Sequence, residues 1–183
     1  MNGRDLTDLT TAADHECHVQ VTCPPQAWLT SRATPPTAAD LEPIVNGYIK
    51  PDGGLWTSTY LDAVRISGWA EWCRGEAFGP ARAHTWILTP HRTARVAVVD
   101  SLADLDVLTR LFPAVRRSYD FHPSLDFATL AQVFDGLRLT DAGQWATRLT
   151  GHGEPSLYGW DCECVLWFRW TFAAVDRGPE YVR

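Results

Sequence analysis

Hydrophobic and polar positions alternate at two places near opposite ends of the chain. In Cys17–Cys23 (CHVQVTC), Cys17, Val19, Val21 and Cys23 face one way and His18, Gln20 and Thr22 the other. That alternation predicts a half-buried strand, ended by Pro24 and Pro25. In Trp160–Trp170 (WDCECVLWFRW) the even positions Cys162, Cys164, Leu166, Phe168 and Trp170 are all apolar, and the odd positions carry Asp161, Glu163, Val165, Trp167 and Arg169. Between them, Leu55–Tyr60 (LWTSTY) predicts a short strand with Trp56, Ser58 and Tyr60 on one face. It follows Lys50-Pro-Asp-Gly-Gly, a loop whose glycines can take positive φ. His84–Pro90 and Arg95–Asp100 predict two more strands joined by a Pro-containing turn.

The helical periods lie between these strands. Thr37 to Asp40 has the T-x-x-D form of a helix start. Leu61–Phe78 reads as a helix with Trp69, Trp72 and Cys73 on one side and a break at Gly68. Ser101 caps a helix carrying Leu105, Leu108 and Phe112 along its apolar side, with Asp104 at the third position. A further helix from about Leu125 sets Phe127, Leu130, Ala131 and Phe134 at i, i+3, i+4 and i+7. Another starts at Thr140 and stops before Gly151. Residues 1–14 read as a flexible tail and 15–183 as one domain. Strands at both ends with helices between them predict an α+β fold rather than a doubly wound parallel sheet. No G-x-G-x-x-G or G-x-x-x-x-G-K-[ST] supports a Rossmann or P-loop reading.

Composition narrows the function classes. A chain of 183 residues that is 45% hydrophobic can bury a substantial core. The net charge of −6, with scattered arginines and Lys50 as the only lysine, builds no electropositive stripe for nucleic acid. Nine tryptophans imply a dense core or a stacking cleft. The polar N-terminus has no apolar signal-peptide region and no run reaches the length of a membrane span, so a cytoplasmic protein without a membrane partner is expected. Five cysteines, few and odd in number, fit a reducing compartment.

Glu163 is the first candidate for chemistry. It lies mid-strand opposite an apolar face, so its carboxylate looks either into a cleft or onto the wet side of a sheet, the common position for glutamate. Asp161 shares its face, and neighbouring carboxylates cost energy unless something uses them. His18 shows the same geometry at the other end of the chain. The residues would act together if both polar faces belonged to one cleft. His15, His18, Cys17, Cys23 and the Cys162-x-Cys164 pair fit no standard zinc spacing, so no metal is expected. Cys73 and Ser58 lack a nucleophile motif. Asp161 and Glu163 are too close together to flank a sugar as glycosidase carboxylates do.

Gly47–Ala63 (GYIKPDGGLWTSTYLDA) resembles the loop-and-strand region of diphtheria-toxin-like and PARP-like ADP-ribosyltransferases, where a Gly/Lys/Pro loop leads to an aromatic, a hydroxyl pair and a tyrosine. The order His18, Tyr60, Glu163 is similar to that family's signature, and Phe127–Thr140, with its aromatic-Asp-Gly turn, resembles the region before the last catalytic strand of toxin-type members. The resemblance implies split, curved β-sheets with packed helices. It also implies a mono-ADP-ribosyltransferase that cleaves NAD at the nicotinamide–ribose bond and passes ADP-ribose to a protein or nucleic-acid acceptor, with a place in toxin–antitoxin or phage–host conflict. In that scheme His18 binds the ribose or the nicotinamide amide, and Tyr60 stacks on the nicotinamide with Trp56 as a second wall. Ser58, Thr59 and Gly54 complete the NAD-binding set. Glu163 binds the ribose 2′-hydroxyl, and Asp161 orients the acceptor unless it merely pairs with Arg169. The arginine-class pattern is met only in part, since the first strand offers His18 and the nearest arginine, Arg32, falls in a predicted loop. The competing expectation is a non-enzymatic, acidic, Trp-rich interaction module or inhibitor whose aromatics anchor a partner.

Overall fold

The computed structural model describes residues 5–20, 22–47, 50–115 and 121–183. Within them the chain runs α1 (Leu6–Glu16), β1 (Val19–Gln20), β2 (Gln26–Thr30), a 3-10 turn (Ala38–Asp40), β3 (Glu42–Val45), β4 (Asp52–Thr59), α2 (Gly68–Gly75), β5 (Arg82–Pro90) and β6 (Val96–Val99). It continues through α3 (Leu102–Leu111), α4 (Phe127–Val133), β7 (Gly136–Leu139), α5 (Asp141–Arg148), β8 (Cys164–Trp167), β9 (Phe172–Arg177) and β10 (Tyr181–Val182). This is one mixed α+β fold. No helix among the described residues is long and apolar enough to cross a membrane.

The residues expected as a tail over 1–14 instead supply most of α1; residues 1–4 lie outside the described part. Asp5 caps the helix by accepting from the Thr7 amide at 3.2 Å, and Leu9 and Ala13, four apart, are buried. Asp14 and Glu16 pair with Arg95 and Arg110. Because the helix runs on to Glu16, the strand expected over Cys17–Cys23 shrinks to β1, and Val21 lies outside the described residues. The Leu61–Phe78 helix is likewise shorter than its pattern: Ile66 takes a left-handed φ of 68° and Ser67 caps α2. The caps at Ser101, Asp126 and Thr140 fall where the sequence puts helix starts.

Ten strands form one large, open, mixed sheet in the order β1-β6-β7-β8-β4-β2-β5-β10, with β3 added to β4 and β9 to β5. Among the described strands only β6 and β7 run parallel, joined by a crossover that includes α3 and α4. β5 and β6 do not pair as a hairpin: β5 pairs with β2, β9 and β10, and β6 with β1 and β7. Five ladder steps separate β5 from β6, yet Trp86 and Leu88 of β5 share one core cluster with Val96 of β6 and Val165 and Trp167 of β8. The sheet therefore curls over on itself. Its other face is covered by α1, α3 and α4, with Phe112, Phe127, Leu130 and Phe134 packed on Val99, Leu137, Leu139 and Leu166. A third cluster lies under α2.

Candidate functional site

At β4 the sheet changes partners, and a cleft opens there. Leu55, Trp56 and Thr57 pair with β8, whereas Ser58 and Thr59 pair with β2. Gly54 makes the close approach possible: its φ is +67°, and a Cβ on it would fall 2.4 Å from Leu166 Cδ1. Beyond this seam lies a cleft of about 300 Å³ walled by Trp28, Trp56, Trp69 and Trp160, with Lys50, Ser58, Asp161, Cys162 and Cys164 also on its lining. Trp56 meets Trp160 edge-on, with ring centroids 4.6 Å apart. A second hollow of about 530 Å³, lined by Asp40, Glu42, Asp52, Gly53 and Gly54, adjoins it and shares Trp28, Lys50 and Trp56. Arg32 beside Asp40 holds that carboxyl well below its usual range.

Of the two positions its alternation left open, a cleft or the wet side of a sheet, Glu163 takes the sheltered one. The strand begins only at Cys164, so the period of two does not reach back to Asp161, and the two carboxylates part company. Glu163 is 6% exposed and sits against the seam. Its Oε2 accepts from the Ser58 hydroxyl at 3.0 Å and the Thr59 amide at 2.9 Å, and its Oε1 accepts from the Thr59 hydroxyl at 2.5 Å. The Arg138 Nε lies 3.5 Å from Oε1, an ion pair without hydrogen-bond geometry. Arg138 is itself steadied by Gln20, whose Oε1 accepts from Nη1 at 2.8 Å. A buried carboxylate with these donors replaces the water it has lost. Asp161 remains half-exposed on the cleft lining. Arg169, considered above as its partner, pairs with Asp135 instead.

Ser58 links the two environments: its side chain lines the cleft, donates to Glu163 and accepts from the Trp69 amide at 3.2 Å. The carboxylate of Glu163 thus stands one hydrogen bond behind the cleft wall. Thr57, one position earlier, points into the curl of the sheet, where it donates to Gln26 and accepts from the Trp167 indole, both at 2.9 Å. Burial pushes the Cys162 thiol up to about 12, with Glu163 and Asp161 adding to the effect. Burial likewise raises Cys23 to about 12, against the opposing charge of Arg138.

The structure therefore brings Trp56, Ser58, Thr59, Asp161 and Glu163 together around one seam, with Gly54 on the adjoining hollow. It does not bring in His18 or Tyr60. His18 is exposed beside the edge strand β1, with β6 and β7 between it and β8, a separation of about 14 Å at the usual strand spacing. The residue of that polar face that reaches the seam is Gln20. Tyr60 leaves the cleft and packs with Ile66, Ala70 and Cys73 under α2. Among the described residues no group of three or more His, Cys, Asp or Glu is arranged to hold a metal ion. Sequence reasoning missed Trp28, Lys50 and Arg138 as site residues. Arg138 did leave a signal, as a lone charge between Leu137 and Leu139 of an otherwise apolar strand. No protein-family model matches this chain, and neither the curated proteins nor the solved structures contain a match to it.

Proposed function

We propose that the chain is a mono-ADP-ribosyltransferase that takes NAD into the tryptophan cleft, breaks its nicotinamide–ribose bond and passes ADP-ribose to a macromolecular acceptor. The observation that carries this reading is the fixed carboxylate of Glu163, anchored by the Ser58–Thr59 hydroxyl pair directly behind an aromatic cleft that holds a second carboxylate, Asp161. Loss of nicotinamide leaves positive charge on the ribose. A carboxylate oriented before the reaction stabilises that charge without reorganising, the more so where tryptophans exclude water. The bond's electron pair leaves on neutral nicotinamide; the acceptor nucleophile then adds to the sugar and gives up its proton, for which Asp161 is the available base. The curl of the sheet and its change of partners at β4, where the cleft opens, are the features on which the split-sheet architecture of this class is proposed. NAD as co-substrate, together with five free cysteines, supports a cytoplasmic setting.

One observation favours a second reading. Both oxygens of Glu163 are already engaged, which suits a structural carboxylate and a non-catalytic binding cleft. Mass spectrometry of free nicotinamide after incubation with NAD, with and without cell lysate as a source of acceptor, separates the two. Release by the wild type should fall at least about 100-fold in Asp161→Asn and in Glu163→Gln, as expected when an electrostatic group of the transition state is removed. Release undiminished in both variants, or absent even with lysate, overturns the transferase reading.

A further inference from the structure

Lys50 is the only lysine in the chain, and it stands where the cleft and the second hollow meet. Its carbonyl lies so close to Gly47 that a Cβ there would fall 2.0 Å from the Lys50 carbonyl oxygen. Its ammonium lies 4.8 Å from the Trp56 ring centroid and donates to the Gly159 carbonyl at 3.3 Å. An ammonium has three donors, so two remain for a ligand. Among the described residues no carboxylate pairs with it, and no cation pairs with Asp161 on the same lining. The two uncompensated charges belong to one site. Burial above all holds the Cys164 thiol on the cleft wall well above its ordinary range; Lys50 opposes this and Asp161 adds to it, so both lie within electrostatic reach of that one group.

We propose that this cleft is a bipolar nucleotide site in which Lys50 takes a phosphate while Asp161 and the tryptophan faces take a positively charged ring. A Lys ammonium binds phosphate as a point charge, and a cationic ring is held by indole faces and a nearby carboxylate. The oxidised nicotinamide half of NAD carries both features in one mononucleotide, a pyridinium cation and a phosphate. The identity of the ring rests on the NAD reading above; the pairing of an anion site with a cation site rests on Lys50, Asp161 and the aromatic walls alone. Among the described residues that line the second hollow Lys50 is the one cation, beside the acidic Asp40, Glu42 and Asp52, which makes it the phosphate anchor.

Isothermal titration calorimetry with NAD, NADH and nicotinamide riboside, which lacks the phosphate, tests both poles. In the wild type NAD should bind about tenfold more tightly than the riboside and about tenfold more tightly than NADH, whose ring is neutral. Lys50→Met should erase the first preference and Lys50→Arg retain it; Asp161→Asn should erase the second. Because Lys50 is the sole lysine, amine acetylation read by peptide mass spectrometry reports its cover directly, and NAD should protect it where the riboside does not. Equal binding of NAD and riboside, or NAD binding unchanged in Lys50→Met, overturns the anion site even if nicotinamide release is observed. Protection of Lys50 by ADP but not by NAD overturns the cationic-ring assignment and the NAD reading together. Failure of all three ligands to bind overturns the bipolar site.

Discussion

A glutamate that is 6% exposed keeps its charge only if its neighbours replace the water it has lost. For Glu163 the replacements come from three strands: Ser58 and Thr59 from β4, Arg138 from β7 and, through Arg138, Gln20 from β1. Removing one partner of such a pair costs more than removing both, because the survivor is left buried and uncompensated. Arg138→Met should therefore destabilise the protein by about 3 kcal/mol, the low end of the range because the Arg138 side chain keeps 19% of its surface exposed. Glu163→Gln should cost about 1–2 kcal/mol, since an amide oxygen can still accept from the Thr59 amide. In the double variant the two losses should fall short of their sum by about 2 kcal/mol, read from urea unfolding. Strict additivity would show that the 3.5 Å approach carries no coupling. The same measurement shows whether Glu163→Gln is folded, without which a loss of nicotinamide release says nothing about chemistry.

Among the elements, α1 departs furthest from what its composition suggests. Its eleven residues are mostly polar, and only the Leu9–Ala13 spacing and the Asp5 cap betray a helix with one apolar face against α3 and α4. Deleting residues 1–16 should lower stability by about 3 kcal/mol, from burial of Leu9 (about 2) and the cap (about 1). That amounts to a fall of roughly 6–12 °C in melting temperature. A melting temperature unchanged by the deletion would return this segment to the status of a tail. Elements with strong local chemistry were legible: Ser101 and Asp126 each cap a helix whose apolar period follows directly, and Thr140 caps α5. Partners distant in sequence were not. Nothing local to His84–Asp100 reveals that β5 and β6 join opposite parts of a curled sheet, and Phe172–Arg177 is exposed at two of every three positions, so β9 shows no period of two. The site followed the same division. Ser58, Thr59 and Glu163 stood out by type, but whether His18 or Gln20 reaches the seam depends on strand order, which alternation along a single strand does not carry.

Across the molecule, the seam that holds the candidate site also gathers its least ionisable thiols. Cys23 and Cys162 both feel Glu163, and both are raised from an ordinary value of 9.0 to about 12, burial being the main cause. Folding therefore favours their protonated forms. The stability this contributes is complete below pH 9, where folded and unfolded chains alike keep the proton. It is lost as pH rises towards 12, because over that window the unfolded chain gives up protons that the folded chain retains. Each thiol should remove about 1.4 kcal/mol per pH unit there, so the pair should steepen alkaline destabilisation by about 3 kcal/mol per unit. Urea midpoints between pH 8 and 11 for the wild type and for a Cys23→Ala/Cys162→Ala variant test this. The variant begins less stable, since small cavities replace two packed sulfurs, but its curve should be flatter above pH 9. Parallel curves would mean that the thiols already ionise in the folded state and that the seam is wetter than its hydrogen bonds imply. That result would also weaken the case for a desolvated carboxylate at Glu163, because the same low-polarity surroundings that raise the two thiols are what make a fixed charge beside the cleft effective.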